Sequence, residues 1–324
     1  MRHHAAPISA LLLFAFAVTG CTAASGGSAA TATATATEAA QADFAGTVDI
    51  GDGRMMYLQC EGTGSPTVVL VSGQRAPAGD WSILGDDAQG PPVFARLAEQ
   101  TRVCSYDRPG TPFGDQPSRS DPAEQPTTAG AMVADLHALV AAAQIEVPFV
   151  LVGHSAGGLA ARLYAADFPD QVAGLVLVDA LSEHLREFLT ADQWQIQKPL
   201  LRGDIDASIA EYPPLEWIDP DTSFDQMLAA PPLTPMPMAV ISSDHPFGPT
   251  IPGLKAAGVI GPEIPDDFGY VTDAAHIGSQ EELAALVPGA IFIPHPDAGH
   301  NVHYERPALV AQAILDVVAE VRAG

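Results

Sequence analysis

The stretch Pro148-Phe149-Val150-Leu151-Val152-Gly153-His154-Ser155-Ala156-Gly157 joins an apolar run to a Gly-x-Ser-x-Gly pentapeptide. The apolar run predicts a buried strand, and a helix-like pattern begins directly after the pentapeptide. A serine on so tight a turn needs glycine two residues to either side, and its hydroxyl is then exposed above the sheet. The strand, turn and helix together indicate a nucleophilic serine, whereas the pentapeptide alone occurs by chance in about one chain in ten of this length.

The rest of the chain alternates between strand and helix patterns. Eight short runs predict strands at residues 46–50, 55–60, 67–71, 102–106, 149–152, 174–178, 238–241 and 290–293. Helical spacing of apolar residues predicts helices over residues 128–144, 158–168 and 307–321. This alternation predicts an α/β fold with a mostly parallel sheet and helices on both faces. Gly51-Asp52-Gly53 is a hairpin signal, so we expect the first two strands to be antiparallel.

Residues 181–235 interrupt this alternation. They contain Trp194, Trp217 and many prolines, and they carry no clear strand pattern. Long insertions in compact domains are usually functional, for example as lids over a site. We therefore predict a cap over residues 181–235, inserted after the sixth strand.

Composition limits the classes of function. The chain has 324 residues, of which 47% are hydrophobic and 16% charged, and this supplies enough apolar side chain for one large core. Its 14 Lys and Arg residues against 39 Asp and Glu residues give a formal net charge of −25. Such a charge repels phosphate backbones and anionic lipid headgroups. We therefore expect no nucleic-acid partner.

The N-terminal residues predict an export signal. Residues 2–4 precede an apolar run over residues 8–18, which is too short to span a bilayer of about 30 Å but suits the hydrophobic region of a signal peptide. Val18-Thr19-Gly20-Cys21 resembles the lipobox of bacterial lipoproteins, which implies cleavage before Cys21 and its lipidation. An ordinary secretory signal is the alternative. Both interpretations predict an exported protein, which meets the membrane only through a lipid anchor at its N-terminus.

Residues 22–43 follow with small side chains, a Thr-Ala repeat at residues 31–37 and no apolar periodicity. Such a segment buries too little apolar surface to offset the entropy lost on ordering. The predicted organisation is a signal peptide over residues 1–21, a disordered tether over residues 22–43 and one folded domain over residues 44–324.

The folded domain carries motifs that resemble the α/β-hydrolase fold superfamily. They are, in order, Ser72-Gly73-Gln74, Tyr106-Asp107-Arg108-Pro109-Gly110, the pentapeptide 153–157, Leu177-Val178-Asp179-Ala180, and Gly299-His300 followed by Glu305-Arg306-Pro307. The resemblance implies a sheet of eight strands, a cap after the sixth strand, and a triad in the order nucleophile, acid, histidine. A serine nucleophile disfavours the haloalkane dehalogenase and epoxide hydrolase branches, which use an aspartate.

The same resemblance suggests roles for individual residues. Ser155 is the expected nucleophile, and His300 is the expected general base in preference to His303, one helical turn further on. Two aspartates can orient the imidazole, because Asp179 follows the sixth strand and Asp244 follows the seventh. We favour Asp179, since the segment around Asp244 lacks the glycine that ends the seventh strand in many family members. Asp244 stays open as the alternative acid.

Further positions follow from the inferred fold. The backbone amides of Gln74 and Ala156 are the expected oxyanion hole, and Arg108 is expected to brace the loop after the fourth strand. Cys60 and Cys104 lie on the second and fourth strands, which are neighbours in this fold, so we expect a disulfide in an exported protein. The ten histidines are scattered and no dinucleotide-binding glycine signature follows the first strand, so neither a metal nor a cofactor is expected.

Together these residues predict an exported serine hydrolase, similar to carboxylesterases and lipases, that cleaves carboxylic ester bonds of a small-molecule acyl substrate through an acyl-enzyme intermediate. The cap is expected to close an apolar acyl pocket. Acyltransferases and peptidases use the same triad, and the sequence does not separate them from esterases. A non-catalytic extracytoplasmic binding protein on the same fold is the alternative from a different class.

Overall fold

Eight strands form one sheet in the computed structural model, which describes residues 42–324. The strands are β1 Phe44–Asp49, β2 Met55–Glu61, β3 Val68–Val71, β4 Val103–Tyr106, β5 Phe149–His154, β6 Val172–Val178, β7 Met238–Ile241 and β8 Ile291–Ile293. Their spatial order is β1-β2-β4-β3-β5-β6-β7-β8, and only β1–β2 and β2–β4 are antiparallel pairs. The predicted α/β class with a mostly parallel eight-stranded sheet is confirmed. The predicted signal peptide, the lipidation site Cys21 and the tether up to residue 41 lie outside the described residues.

The central strands are buried on both faces. Every residue of β3, β5 and β7 is buried, and their sequences are almost continuously apolar. A parallel strand with helices on both faces has no solvent side, so it does not alternate apolar and polar residues. β2 lies nearer the edge and does alternate, with Met56, Leu58 and Cys60 buried and the residues between them partly exposed. Helices must therefore cover both sides of the sheet centre.

Helices pack on both faces of the sheet. They are α1 Val93–Ala98, α2 Ala129–Ala142, α3 Gly157–Asp167, α4 His184–Glu187, α5 Ala191–Arg202, α6 Asp206–Glu211, α7 Pro220–Ala229, α8 Ile251–Ala256, α9 Phe268–Ala285, α10 Val302–Glu305 and α11 Pro307–Ala323. One buried cluster joins α2 and α3 to the sheet, and a second joins α1 and α11 to its other face. Within residues 42–324, no helix combines the length and the apolar character needed to cross a bilayer.

Two separate insertions pack against each other beside the sheet. The first, between β6 and β7, contains α4 to α7 and falls within the predicted cap region 181–235. The second, between β7 and α9, contributes Ile251, Ile260 and Ile264 to an apolar cluster with Phe268 of α9, against which Ile196 and Leu200 of α5 pack. The sequence indicated only the first insertion, because the second is interrupted by Gly and Pro and has no helical periodicity of its own.

A disulfide joins two neighbouring strands. Cys60 of β2 stands directly opposite Cys104 of β4 in the antiparallel register, with 4.1 Å between their Cα atoms. Both cysteines are buried in the cluster beneath α2. The bond closes a loop between residues that are 44 positions apart in the chain. It ties the antiparallel edge of the sheet to its parallel centre.

We expect the double change Cys60→Ala and Cys104→Ala to lower the free energy of unfolding by about 2–4 kcal/mol, because the unfolded chain gains freedom when a loop of this length is opened. Urea unfolding of the oxidised wild type and of the double variant measures the difference. Reductant should weaken the wild type to a similar extent and leave the double variant unchanged. Equal stability of the two oxidised proteins would contradict the prediction.

Candidate active site

Ser155 lies on a sharp turn between β5 and α3. Its backbone φ of 51° is in the left-handed region, which costs an L-residue about 1–2 kcal/mol. A Cβ added to Gly153 would lie 2.6 Å from the Gly157 carbonyl oxygen, and one on Gly157 would collide with the backbone oxygens of Val71 and Ser72. Glycine at both positions therefore lets the chain reverse from the sheet into the helix with only the serine side chain at the apex.

Ser155, His300 and Asp179 form a hydrogen-bonded line. His300 Nε2 is 2.9 Å from Ser155 Oγ, and His300 Nδ1 is 2.6 Å from Asp179 Oδ2. Asp179 directly follows β6 and is buried, and its own N–H donates to the Ile241 carbonyl oxygen at 2.7 Å. With Nδ1–H donating to the carboxylate, Nε2 is the acceptor that faces the serine hydroxyl.

Asp244, the alternative acid, is hydrogen-bonded to the backbone of the loop that carries His300. Its Oδ1 accepts a hydrogen bond from Ala298 N at 2.9 Å, and its own N–H donates to the Ala298 carbonyl oxygen at 3.0 Å. Ala298 precedes His300 by two residues. The structure therefore places Asp179 against the imidazole and Asp244 against the backbone of the loop that carries it.

The histidines adjacent to this line have other partners. His154 is buried, and its Nε2–H donates to the His300 carbonyl oxygen at 3.0 Å. Burial lowers the pKa of His154 well below its usual 6.5, so this imidazole is neutral. His303 instead places Nε2 2.9 Å from Asp80 Oδ2 and packs against the Trp81 ring. Both side chains therefore brace the His300 loop.

A second histidine contacts the buried acid. His276 of α9 places Nε2 2.9 Å from Asp179 Oδ1, and Ser243 N donates to the same oxygen at 2.6 Å. Burial raises the pKa of the Asp179 carboxyl, but the contacts with His276 and His300 outweigh it and hold that pKa well below its usual value. Asp179 is therefore ionised at neutral pH. Sequence reasoning missed His276, which lies within a helix and outside every motif.

The predicted oxyanion-hole residues stand beside the serine. Ala156 follows Ser155 directly, and Gln74 lines the same cavity as Ser155. Within residues 42–324, neither backbone amide donates to an acceptor. The Gln74 side chain is held by Leu201 O at 3.3 Å and by Ile218 N at 3.0 Å, so the cap fixes the position of its backbone. Two such amides can stabilise negative charge on a bound oxygen.

Arg108 fixes the loop after β3 through a buried ion pair. Its Nη1 and Nη2 donate to the carbonyl oxygens of Ser72 and Gly73 at 2.7 and 2.6 Å. Its guanidinium also pairs with Glu216 of the cap, with Nε 2.5 Å from Oε1 and Nη2 3.0 Å from Oε2. Glu216 Oε2 in turn accepts from Arg75 N at 2.6 Å. Sequence reasoning missed Glu216, because no motif marks its place in the insertion.

A cavity of about 450 Å³ has Ser155 and His300 in its wall. Most of the other side chains that line it are polar, namely Gln74, Arg75, Asp80, Asn301 and Tyr304. Leu201 of α5 adds an apolar side chain from the cap. The space above the serine is therefore polar and is bounded in part by the first insertion.

Among the described residues, Asp80, His154 and His303 are the group that could hold a metal ion, since one donor atom of each lies within 4.8 Å of the others. Their contacts are those of a hydrogen-bonded cluster. Asp80 accepts from His303 and from the Tyr304 hydroxyl, and the rings of His154 and His303 lie 4.3 Å apart between centroids. This cluster supports the His300 loop through protein contacts.

Comparison with known sequences identifies a family. The model of the alpha/beta hydrolase family matches residues 68–313. An uncharacterized protein of Schizosaccharomyces pombe is 30% identical over 145 residues, which cover 39% of this chain and 26% of that protein. "Putative carbamate hydrolase RutD" of Escherichia coli O7:K1 is 30% identical over 162 residues, which cover 48% of this chain and 53% of RutD. The chain thus spans about half or less of the length of these relatives.

Solved structures show the same fold at low sequence identity. A "putative lipase (lip1)" from Acinetobacter baumannii AYE superposes with a TM-score of 0.54 at 17% identity, covering 87% of this chain and 92% of the lipase. The enol-lactonase from Burkholderia xenovorans LB400 superposes with a TM-score of 0.51 at 18% identity, covering 83% of this chain and 98% of the enol-lactonase. At these identities the likeness concerns the fold alone.

We expect Gly157→Ala to lower the free energy of unfolding by about 1–3 kcal/mol, because its Cβ collides with two backbone oxygens that cannot move independently of β3. Gly253→Ala is the matched control, since a Cβ at that helical position meets nothing within 4 Å. The control should be neutral or stabilising by up to about 1 kcal/mol. Thermal unfolding measures both, and equal effects of the two changes would refute the close approach.

We expect Glu216→Gln to cost about 3–5 kcal/mol of stability, because it leaves the buried Arg108 charge without its counterion. Asp206→Asn is the control, since it removes an exposed carboxylate paired with Arg202 and should cost less than about 1 kcal/mol. Denaturant unfolding compares the variants. A Glu216→Gln effect no larger than that of the control would show that the buried pair is dispensable.

Proposed function

The chain belongs to the alpha/beta hydrolase family, and we propose on this basis that it is a serine hydrolase that cleaves carboxylic ester bonds. One observation carries the proposal: His300 is hydrogen-bonded to Ser155 on one side and to Asp179 on the other. A serine hydroxyl is a weak nucleophile at neutral pH and needs such a base. A binding protein has no need of this alignment, so the enzyme is favoured over a non-catalytic member of the fold.

The first half of the reaction forms an acyl-enzyme. Ser155 Oγ attacks the ester carbonyl carbon while its proton passes to His300 Nε2. Asp179 accepts the Nδ1–H throughout and stabilises the imidazolium that forms. The carbonyl oxygen becomes an oxyanion, which the backbone amides of Gln74 and Ala156 stabilise. When the tetrahedral intermediate collapses, His300 returns the proton to the departing alkoxide, and the alcohol leaves.

The second half reverses these roles with water. His300 takes a proton from a water molecule, the hydroxide attacks the acyl carbon, and the proton then returns to Ser155 Oγ as the acid leaves. The imidazole side chain is 55% exposed, so water can reach the acyl-enzyme directly. This exposure supports hydrolysis over transfer of the acyl group to another acceptor, which needs water to be excluded.

The cavity favours small polar substrates. Its polar lining by Arg75 and Asn301 offers hydrogen bonds to a substrate, and its apolar lining is limited to Ala76, Pro77 and Leu201, which is little surface for a long acyl chain. This differs from the apolar pocket of a lipase acting on long-chain lipids. We therefore propose short-chain or polar acyl esters as the substrate class.

We also propose that the enzyme is exported and anchored through Cys21. The signal-like run over residues 8–18 and the Val18-Thr19-Gly20-Cys21 sequence support this. The Cys60–Cys104 disulfide supports it independently, because disulfides persist mainly in oxidising compartments.

Hydrolysis of a chain-length series of p-nitrophenyl acyl esters by the full-length protein tests the function. We expect the shortest acyl chains to be preferred and Ser155→Ala to reduce kcat/KM by at least about 1,000-fold. Asp179→Asn should cost about 1,000-fold or more, because the imidazole loses its tautomer and orientation. Asp244→Asn, which leaves the imidazole contact intact, should cost much less.

Two results would contradict this assignment in different ways. A larger loss of kcat/KM in Asp244→Asn than in Asp179→Asn would identify Asp244, and not Asp179, as the acid that orients His300. Absence of Ser155-dependent ester turnover, together with failure of a fluorophosphonate probe to label Ser155, would favour the non-catalytic binding protein.

A further inference from the structure

The Asp179 carboxylate is shared between two histidines. His300 Nδ1 lies 2.6 Å from Oδ2, and His276 Nε2 lies 2.9 Å from Oδ1. Asp179 itself is 4% exposed, whereas the side chains of His300 and His276 are 55% and 24% exposed. The proposed reaction uses one imidazole to move a proton, and it leaves the second, on the opposite oxygen, without a role.

His276 enters from α9, the helix that precedes β8. Besides Asp179, it faces Ser242 Oγ at the end of β7, which lies 3.4 Å from its Nε2. Asp273, one turn earlier on α9, adds a further negative charge. The Asp273 carboxylate also accepts hydrogen bonds from two backbone amides of the second insertion, at 2.8 and 2.9 Å. Both carboxylates that act on His276 are therefore fixed in place.

The cap helix α4 packs against α9 and carries His184, Arg186 and Glu187. His184 lies 3.3 Å from Glu187, and Arg186 pairs with Asp225 at 2.8 Å. Arg186 therefore has its counterion within the cap. Besides burial, the influences on the ionisation of His276 are the carboxylates of Asp179 and Asp273.

These contacts favour a charged His276. Burial alone lowers the pKa of this imidazole, but the adjacent Asp179 carboxylate and the charge of Asp273 raise it above the usual 6.5. The same contact acts in the opposite direction on Asp179, whose pKa is held well below its usual value although burial raises it. His276 and Asp179 are therefore placed as an ion pair in which the carboxylate is buried and the imidazole is partly exposed.

We propose that His276 is a positioning residue of this site: its imidazolium holds Oδ1 of Asp179 while His300 uses Oδ2, and its positive charge offsets part of the attraction that the Asp179 carboxylate exerts on a proton at the site. This inference rests on the proposed function, since it takes His300 to be the base.

The expected effect on the pH dependence of the reaction follows from the groups that lie next to the two Asp179 oxygens. An isolated Asp179 carboxylate favours a proton on His300, and a protonated His300 cannot accept one from Ser155. The His276 cation cancels part of that attraction while the carboxylate still fixes the orientation of the imidazole. Removing this cation should therefore extend the inactive, protonated form of His300 to higher pH.

The pH dependence of Ser155 labelling by a fluorophosphonate probe, and of kcat/KM on p-nitrophenyl acetate, tests the role. We expect His276→Gln, which keeps an amide donor near Asp179 but carries no charge, to move the acid limb of both profiles to higher pH by about one unit. His295→Gln is the control, because this exposed histidine stands 3.8 Å from Asp244 and should leave both profiles unchanged.

An acid limb of His276→Gln that superposes on that of the wild type would overturn the proposal, even if the plateau rate falls, because a purely structural role lowers the rate without moving the limb. If the variant fails to fold, the ¹⁵N chemical shifts of His276 in the wild type decide. A neutral imidazole at about pH 6.5 would overturn the proposal, and a protonated one would support it. Absence of any Ser155 labelling in the wild type would instead overturn the hydrolase function itself.

Discussion

The left-handed backbone of Ser155 is the constraint on which the rest of the site depends. At a φ of 51° the serine is strained, and the strain persists only because the chain on either side of it is held closely against the sheet. Gly157 lies against the backbone oxygens of Val71 and Ser72, where no larger residue fits. The order β3-β5-β6 then places the ends of three parallel strands side by side. The oxyanion loop, the serine and the acid all emerge from this one edge.

The insertion between β6 and β7, predicted as a cap, contributes directly to the site. Glu216 neutralises Arg108, and Arg108 in turn binds the carbonyl oxygens of the loop that carries the Gln74 amide. The cap also binds the Gln74 side chain from two further positions. If the cap moved away, the buried Arg108 would lose its counterion. The loop that carries Gln74 would then also lose contacts that hold it in place. A polar cavity under such a cap is consistent with a substrate held by hydrogen bonds rather than by apolar burial.

The groups around Asp179 allow its carboxylate to orient the His300 imidazole and also offset part of its negative charge. The carboxylate is buried, which by itself favours its neutral form, yet it accepts hydrogen bonds from Ser243 N and His300 and lies 2.9 Å from His276 Nε2. Its ionised state is therefore retained inside the protein. Asp179 orients His300 through one carboxylate oxygen. A positively charged His276 on the other oxygen limits how strongly the carboxylate attracts a proton to His300. In this view α9, which carries no family motif, contributes to the chemistry through a single side chain.

The sequence by itself determined the architecture and the order of the site residues. Continuous apolar runs located strands such as β3, β5 and β7, because a strand buried on both faces leaves a local signal, and the turn at Ser155 required its glycines locally. The choice between Asp179 and Asp244 stayed open, since both end adjacent strands and only the path of the 297–300 loop decides which one meets His300. Glu216 and His276 left no signal in the sequence. Their roles depend on partners that are distant in the chain, such as Arg108 at a separation of 108 residues, and only tertiary packing brings those charges together away from water.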